Sequence, residues 1–232
     1  MLFEILKNLR WIIVTRIGLN RAGVRRLEFY EEIISRFLAH KDTLLDVGCG
    51  SCEVSRRLKS PSFKVGLDIN FRSLIKAKNN EHNKRAYHLE LICADAHFLP
   101  FREQSFSSII LISLLEHLKS PQDVIRECYR VLRSRGRIIL QIPNLQKLFE
   151  PHTWIPMILL PNFVKKVILQ KLRHDFINFN VTIQHCLKWL HSSGFVKISY
   201  TKIWWGFRII KILNWPIGWI ITAEKGEFQR DE

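Results

Sequence analysis

Five short apolar runs between residues 43 and 144 are separated by segments of helical periodicity, and this alternation limits the fold more than any other feature of the chain. The runs are 43–48 (TLLDVG), 63–69 (FKVGLDI), 88–95 (HLELICAD), 105–113 (SFSSIILIS) and 136–144 (GRIILQIPN). Helical patterns fill 26–40, 52–59, 71–82 and 120–136, the last with a Ser120-Pro121 start and a Gly136 stop. Strands that are apolar throughout are buried on both faces, and strands alternating with helices build a parallel sheet. The predicted fold is therefore α/β, a doubly wound, mostly parallel, Rossmann-like sheet. In such sheets ligands bind at the carboxyl ends of the strands, near the switch in strand order. Asp46, Asp68 and Asp95 fall at or near those ends. Three acids in register at one edge predict a site there.

The flanking segments divide the chain further. Residues 1–42 form an N-terminal helical segment, and 43–144 form the core. Residues 145–180 are an apolar, aromatic, proline-punctuated insert after the fifth strand, expected to cover a substrate. Residues 181–232 supply a helix (181–193) and two closing strands (193–205 and 218–226) of the same domain. Leu2, Ile5, Leu6, Leu9, Ile12 and Ile13 recur at helical spacing beside Lys7, Arg10 and Arg16. That pattern suits an amphipathic helix packed on the domain or lying on a membrane surface. Glu4, Lys7 and Arg10 interrupt any signal-peptide core, and no apolar run reaches the roughly 18–20 residues of a membrane span.

The formal net charge is +15, spread along the chain rather than gathered into an arm. It favours anionic neighbours such as lipid headgroups, nucleic acid or a phosphorylated substrate. The five cysteines are odd in number and irregular in spacing, which argues against a secreted disulfide framework. The expected setting is the reducing cytoplasm, with contact to a membrane surface.

Residues 44–58 (LLDVGCGSCEVSRRL) admit two chemistries. Cys49 and Cys52 make a C-x-x-C, but a zinc site needs two more ligands, and no second C-x-x-C or nearby H-x-x-x-H is present. A thioredoxin-like dithiol leaves Asp46, Asp68 and Asp95 without a task. The alternative is a glycine loop. Gly48 and Gly50 allow a sharp turn and close approach to a ligand. The following helix offers N–H groups, and Asp68, about 20 residues on, suits two ribose hydroxyls. A dinucleotide is disfavoured because Glu53 stands where its loop has a third glycine, and an acid there opposes a pyrophosphate.

The segments LLDVGCGSC, VGLDIN, ICADAHFLPFREQSFSSIILISLLEHL, ECYRVLRSRGRIILQIPN and GWIITAEKG together resemble class I S-adenosylmethionine-dependent methyltransferases of the small-molecule, type 11-like kind. The resemblance implies a seven-stranded sheet with a final reversed strand, and S-adenosylmethionine as cofactor. It implies that Asp46, Gly48, Cys49 and Gly50 hold the methionine half and that Asp68 accepts the ribose hydroxyls. Ile69 would pack on the adenine, Asp95 and Ala96 would face its amino edge, and Ile112 would lie near the sulfonium. The chain departs from the family at Cys52, where a third glycine is usual.

A sulfonium methyl is already activated, so the enzyme must align the acceptor and exclude water. A base helps where the acceptor is a hydroxyl. Glu116 and His117, in LLEHL past the fourth strand, are the first candidates, and His152 in the insert is the next. Ubiquinone-type O-methyltransferases are similar here, and some bind a metal through E-x-x-E-H; Ser113 replaces the first acid, so no metal is expected. The expected acceptor is a small molecule of lipophilic or lipid-linked character. The alternatives are an RNA or protein methyltransferase, suggested by the charge, and a catalytically silent cofactor-binding protein.

Overall fold

A computed structural model describes residues 19–39, 41–79, 88–144, 181–203 and 218–227. The elements are α1 (Leu19–Ser35), β1 (Thr43–Val47), α2 (Glu53–Arg57), β2 (Phe63–Asp68), α3 (Phe71–Asn79), β3 (Leu89–Cys93), β4 (Phe106–Ile112), α4 (Pro121–Val131), β5 (Leu132–Pro143), α5 (Ile183–Ser192), β6 (Phe195–Ile203) and β7 (Gly218–Lys225). The strands form one sheet in the order β3-β2-β1-β4-β5-β7-β6. The first five are mutually parallel. β7 runs antiparallel to both β5 and β6 and is the reversed strand. The order turns back between β1 and β4, where a doubly wound sheet opens its crevice. The expected N-terminal segment before residue 19, the apolar insert 145–180 and the aromatic stretch 204–217 lie outside the described residues.

Neighbouring side chains on each central strand point to opposite faces, and both faces are covered. Leu45, Val47, Ile109, Leu111, Ile138 and Leu140 pack with α4 and α5 through Val124, Ile125, Cys128 and Leu190. Leu44, Ile110, Ile139 and Ile220 pack with Tyr30 and Ile34 of α1. This two-sided burial is why the runs are apolar throughout rather than alternating. Among the described residues no helix is long and apolar enough to cross a membrane.

Three boundaries differ from the sequence expectation. α1 stops at Ser35 rather than 40, its last bonds tightening to Arg36 N–H on Ile33 O and Phe37 N–H on Ile34 O. β3 ends at Cys93, so Asp95 lies beyond the strand. α4 ends at Val131, and β5 begins at once at Leu132 instead of 136. Gly136 therefore does not stop the helix. It lies inside β5, where a β-carbon would meet Arg133 O at 2.8 Å. The helix end is capped from the sheet instead. Lys225 of β7, buried, donates from Nζ to Tyr129 O at 2.7 Å and Leu132 O at 2.8 Å.

Lys64 repeats this device on β2. Its side chain is fully buried, and Nζ donates to Ser55 O and Leu58 O at the carbonyl end of the short α2. Burial lowers its pKa to about 8. The unfolded chain holds this proton up to about pH 10.4, so between pH 8 and that value the folded state binds fewer protons and stability rises with pH. Chemical denaturation is expected to show that rise in the wild type and to lose part of it in Lys64→Met. Identical slopes would remove Lys64 as its source.

Candidate functional site

The loop after β1 is shaped by three residues with left-handed backbone: Gly48 (φ 72), Gly50 (φ 54) and Cys52 (φ 57). The N–H groups of Gly48 and Cys49 donate to Leu67 O at 2.7 and 3.0 Å, tying the loop to the end of β2. The Gly50 N–H donates to Asp68 Oδ2 at 2.8 Å, and the Asn70 N–H donates to Asp68 Oδ1 at 2.7 Å. Each carboxylate oxygen keeps a second lone pair for a ligand hydroxyl. A β-carbon on Gly50 would meet nothing within 4 Å, so the loop opens onto free space beside this carboxylate. Gly48 is different. Its missing β-carbon would stand 2.6 Å from Leu114, a residue just past β4, so the two halves of the site pack on each other here.

The three acids are not in one row, contrary to the sequence expectation. Asp46 pairs with Gly66 within the sheet, while Asp68 is level with Cys93 and Asp95 is two residues further out. Asp46 is buried under the loop. Burial, helped by the nearby Asp68 charge, pushes its carboxyl up to about 7 against a hydrogen bond from Ser55 that lowers it. The acid that borders the open space is Asp68. Ile69, 69% exposed, stands beside it, whereas Ala96 is buried against the core.

Asp95 has a partner the sequence did not suggest. Its Oδ1 accepts from the His97 N–H at 2.9 Å and lies 2.8 Å from His97 Nδ1. Those bonds hold its carboxyl below the ordinary range. The bend exposes Phe98 (78%). Glu127 and Arg130 of α4 fix the following residues, through Glu127 Oε2 on the Leu99 N–H and Arg130 on the carbonyls of Leu99 and Phe101. A turn rich in Asp, His and aromatic residues after a strand was the available signal.

At the other edge, Ile112 closes β4 and packs against the α1-side core. Ser113 then turns the chain at φ 51. It is held twice by Gln141 of β5: its N–H donates to Gln141 O at 3.1 Å and its hydroxyl to Gln141 Oε1 at 2.6 Å. Gln141, a buried amide between the apolar Leu140 and Ile142, was the signal missed. The 3₁₀ turn Leu115–His117 follows. Glu116 is only 3% exposed, while His117 is partly open, with Nε2 4.0 Å from Glu116 Oε1. His152 lies outside the described residues. Among the described residues no group of three or more His, Cys, Asp and Glu is arranged to hold a metal ion.

Residues 45–140 match the family model described as a methyltransferase domain. Over this stretch the chain is similar to class I, S-adenosylmethionine-dependent methyltransferase domains. The chain is 33% identical over 129 residues to the demethylmenaquinone methyltransferase of Thermotoga maritima, covering 50% of this chain and 54% of that one. It is 27% identical over 179 residues to the ubiquinone biosynthesis O-methyltransferase of Coxiella burnetii, covering 77% and 72%. The chain thus spans about half of the first relative's length. In fold it is similar to the SAM-dependent methyltransferase structure from Methanosarcina mazei, with TM-score 0.60, 20% identity, and coverage of 84% of this chain and 97% of that one.

The residues of this stretch fit the cofactor of such domains, S-adenosylmethionine. Gly50 leaves an open cradle, Asp68 borders it with a carboxylate, and Ile69 offers an exposed apolar face.

Proposed function

We propose that the chain methylates a small, lipophilic acceptor, with the cofactor lying along the ends of β1–β3 and the acceptor over β4 and β5. The observation that carries this reading is the Asp68 carboxylate beside the open space at Gly50. Gly48, Cys49 and Gly50 line the methionine half, Asp68 accepts from the ribose hydroxyls, Ile69 packs on the adenine, and Asp95 and Ala96 meet its amino edge. Ile112 borders the sulfonium. When bound, S-adenosylmethionine supplies an activated methyl group. His117, oriented by Glu116, takes the proton of a hydroxyl acceptor, and the Leu114 contact with Gly48 keeps the two half-sites in register and excludes water. The quinone-pathway names of the similar proteins support the lipophilic acceptor.

Titration calorimetry with S-adenosylmethionine tests the cofactor reading, and absence of heat at neutral pH would defeat it. The same experiment has an expected pH dependence. A cationic ligand favours ionised Asp46, whose pKa in the free protein is about 7. Affinity should therefore rise as pH increases through 7, with proton release on binding, and Asp46→Asn should flatten the dependence. A flat wild-type profile would separate Asp46 from cofactor binding. Methyl transfer to a prenylated phenol or quinol, lost at least tenfold in His117→Ala with cofactor affinity unchanged, would support the acceptor side; an unaltered rate would remove His117 as the base.

A further inference from the structure

Two thiols meet inside the cofactor loop, and methyl transfer gives neither a chemical task. A tight turn joins them, with the Cys52 N–H donating to Cys49 O at 2.7 Å. Cys49 Sγ donates to Gly50 O at 3.7 Å, within the same turn. A β-carbon on Gly66 would stand 2.7 Å from Cys52 Sγ and 3.0 Å from Cys49 Sγ, so both sulfurs share one small space over the bare backbone of β2. Their access differs: Cys52 is fully buried and Cys49 is half-buried. Cys128 and Cys186 lie in the core, and Cys93 is exposed at the end of β3.

We propose that Cys49 and Cys52 form a reversible intramolecular disulfide, with a small-molecule disulfide as the oxidant, and that this bond weakens the loop's hold on S-adenosylmethionine. Cys49, the accessible thiol, loses its proton and attacks one sulfur of the small disulfide, expelling the other half as a thiolate. Cys52 then loses its proton and attacks Cys49 Sγ, expelling the second half. Two electrons pass from the protein sulfurs to the small disulfide, and the two expelled thiolates take up the two protons. The neighbouring Cys52 thiol, with burial, raises the Cys49 pKa, so the first step is slow at neutral pH and quickens as pH rises. A sulfur–sulfur bond of about 2 Å is shorter than any contact between two thiols. Closing it moves the 49–52 turn rather than the paired strand beneath, and Gly50, bonded to Asp68, moves with that turn.

The effect on the cofactor rests on the function proposed above; the disulfide does not. The full chain is treated with oxidised glutathione, mapped by peptide mass spectrometry, and titrated with S-adenosylmethionine before treatment, after it, and after dithiothreitol. The expected result is a Cys49–Cys52 peptide lacking two hydrogens and an affinity at least tenfold lower, restored by reduction. Cys52→Ala, which keeps the accessible thiol, is expected to hold glutathione on Cys49 as a stable adduct. A lasting adduct on Cys49 in the wild type, or two unmodified thiols, overturns the disulfide. A formed disulfide with unchanged affinity overturns its effect on the loop. Reduced protein that binds no cofactor defeats the functional reading instead, while the peptide map still decides the disulfide.

Discussion

Asp68→Ala is expected to lower the affinity for S-adenosylmethionine by at least about 100-fold. Hydrogen bonds to a charged group contribute about 1.5–3 kcal/mol each, and two ribose hydroxyls are assigned to this carboxylate; each 1.4 kcal/mol is roughly tenfold. The same substitution removes the acceptors of the Gly50 and Asn70 N–H groups, so the loop loosens as well as losing its ligand contacts. A melting temperature lower by a few degrees should accompany the loss, at roughly 2–4 °C per kcal/mol for a chain of this size. Asp68→Asn keeps one acceptor oxygen and turns an NH₂ group toward one of those two donors, so it should fall between. Calorimetry beside thermal unfolding measures both effects. Full cofactor affinity in Asp68→Ala would remove the residue from the site.

Gly66→Ala should cost about 1–3 kcal/mol, the usual range for overpacking a filled interior. The new methyl would enter the space held by Cys52 Sγ at 2.7 Å, Cys49 Sγ at 3.0 Å and Leu91 Cδ2 at 3.3 Å. The Cys52 sulfur cannot retreat freely, because Cys52 is fully buried and its backbone is held in the turn to Cys49. The two positions are therefore coupled. Cys52 stands where glycine is usual and holds a left-handed conformation, which costs a residue with a β-carbon about 1–2 kcal/mol. Its buried thiol offsets part of that cost by filling the hollow over Gly66. Cys52→Gly in the Gly66→Ala background should restore most of the lost stability, a coupling of at least about 1 kcal/mol by double-mutant cycle. Simple additivity in thermal unfolding would show that the two residues do not share this space.

Much of this organisation was legible in one dimension. The runs of β1, β4 and β5 had to be central strands, because only a two-sided core accepts residues such as Leu44 and Leu45, or Ile109 and Ile110, pointing in opposite directions, whereas the run of β3 lies at the sheet edge and is only partly buried. The turn at Gly48 and Gly50 and its neighbour Asp68 were legible from spacing alone, since a loop that must turn sharply admits few residue types. What was not legible came from pairs distant in sequence. Lys64 and Lys225 look like surface charges until the sheet brings each to the carbonyl end of a helix. Gln141 and Ser113 are 28 residues apart and become one lock only when β4 and β5 pair. Gly136 resembled a helix stop because a capping lysine on β7 gives no local sign.

The sequence by itself determined the parallel sheet, the glycine loop and the acid that borders it, because periodicity and backbone permissiveness are properties of neighbouring residues. Tertiary structure alone decided which acid faces the open space. Asp46 and Asp68 both close apolar strands, yet one is buried with its carboxyl pushed up to about 7 and the other lies beside Gly50. The register between β1 and β2 makes that choice, setting Asp46 level with Gly66, two residues short of Asp68. The same register puts both cysteines over a glycine, which makes a sequence coincidence into two thiols that share one small space.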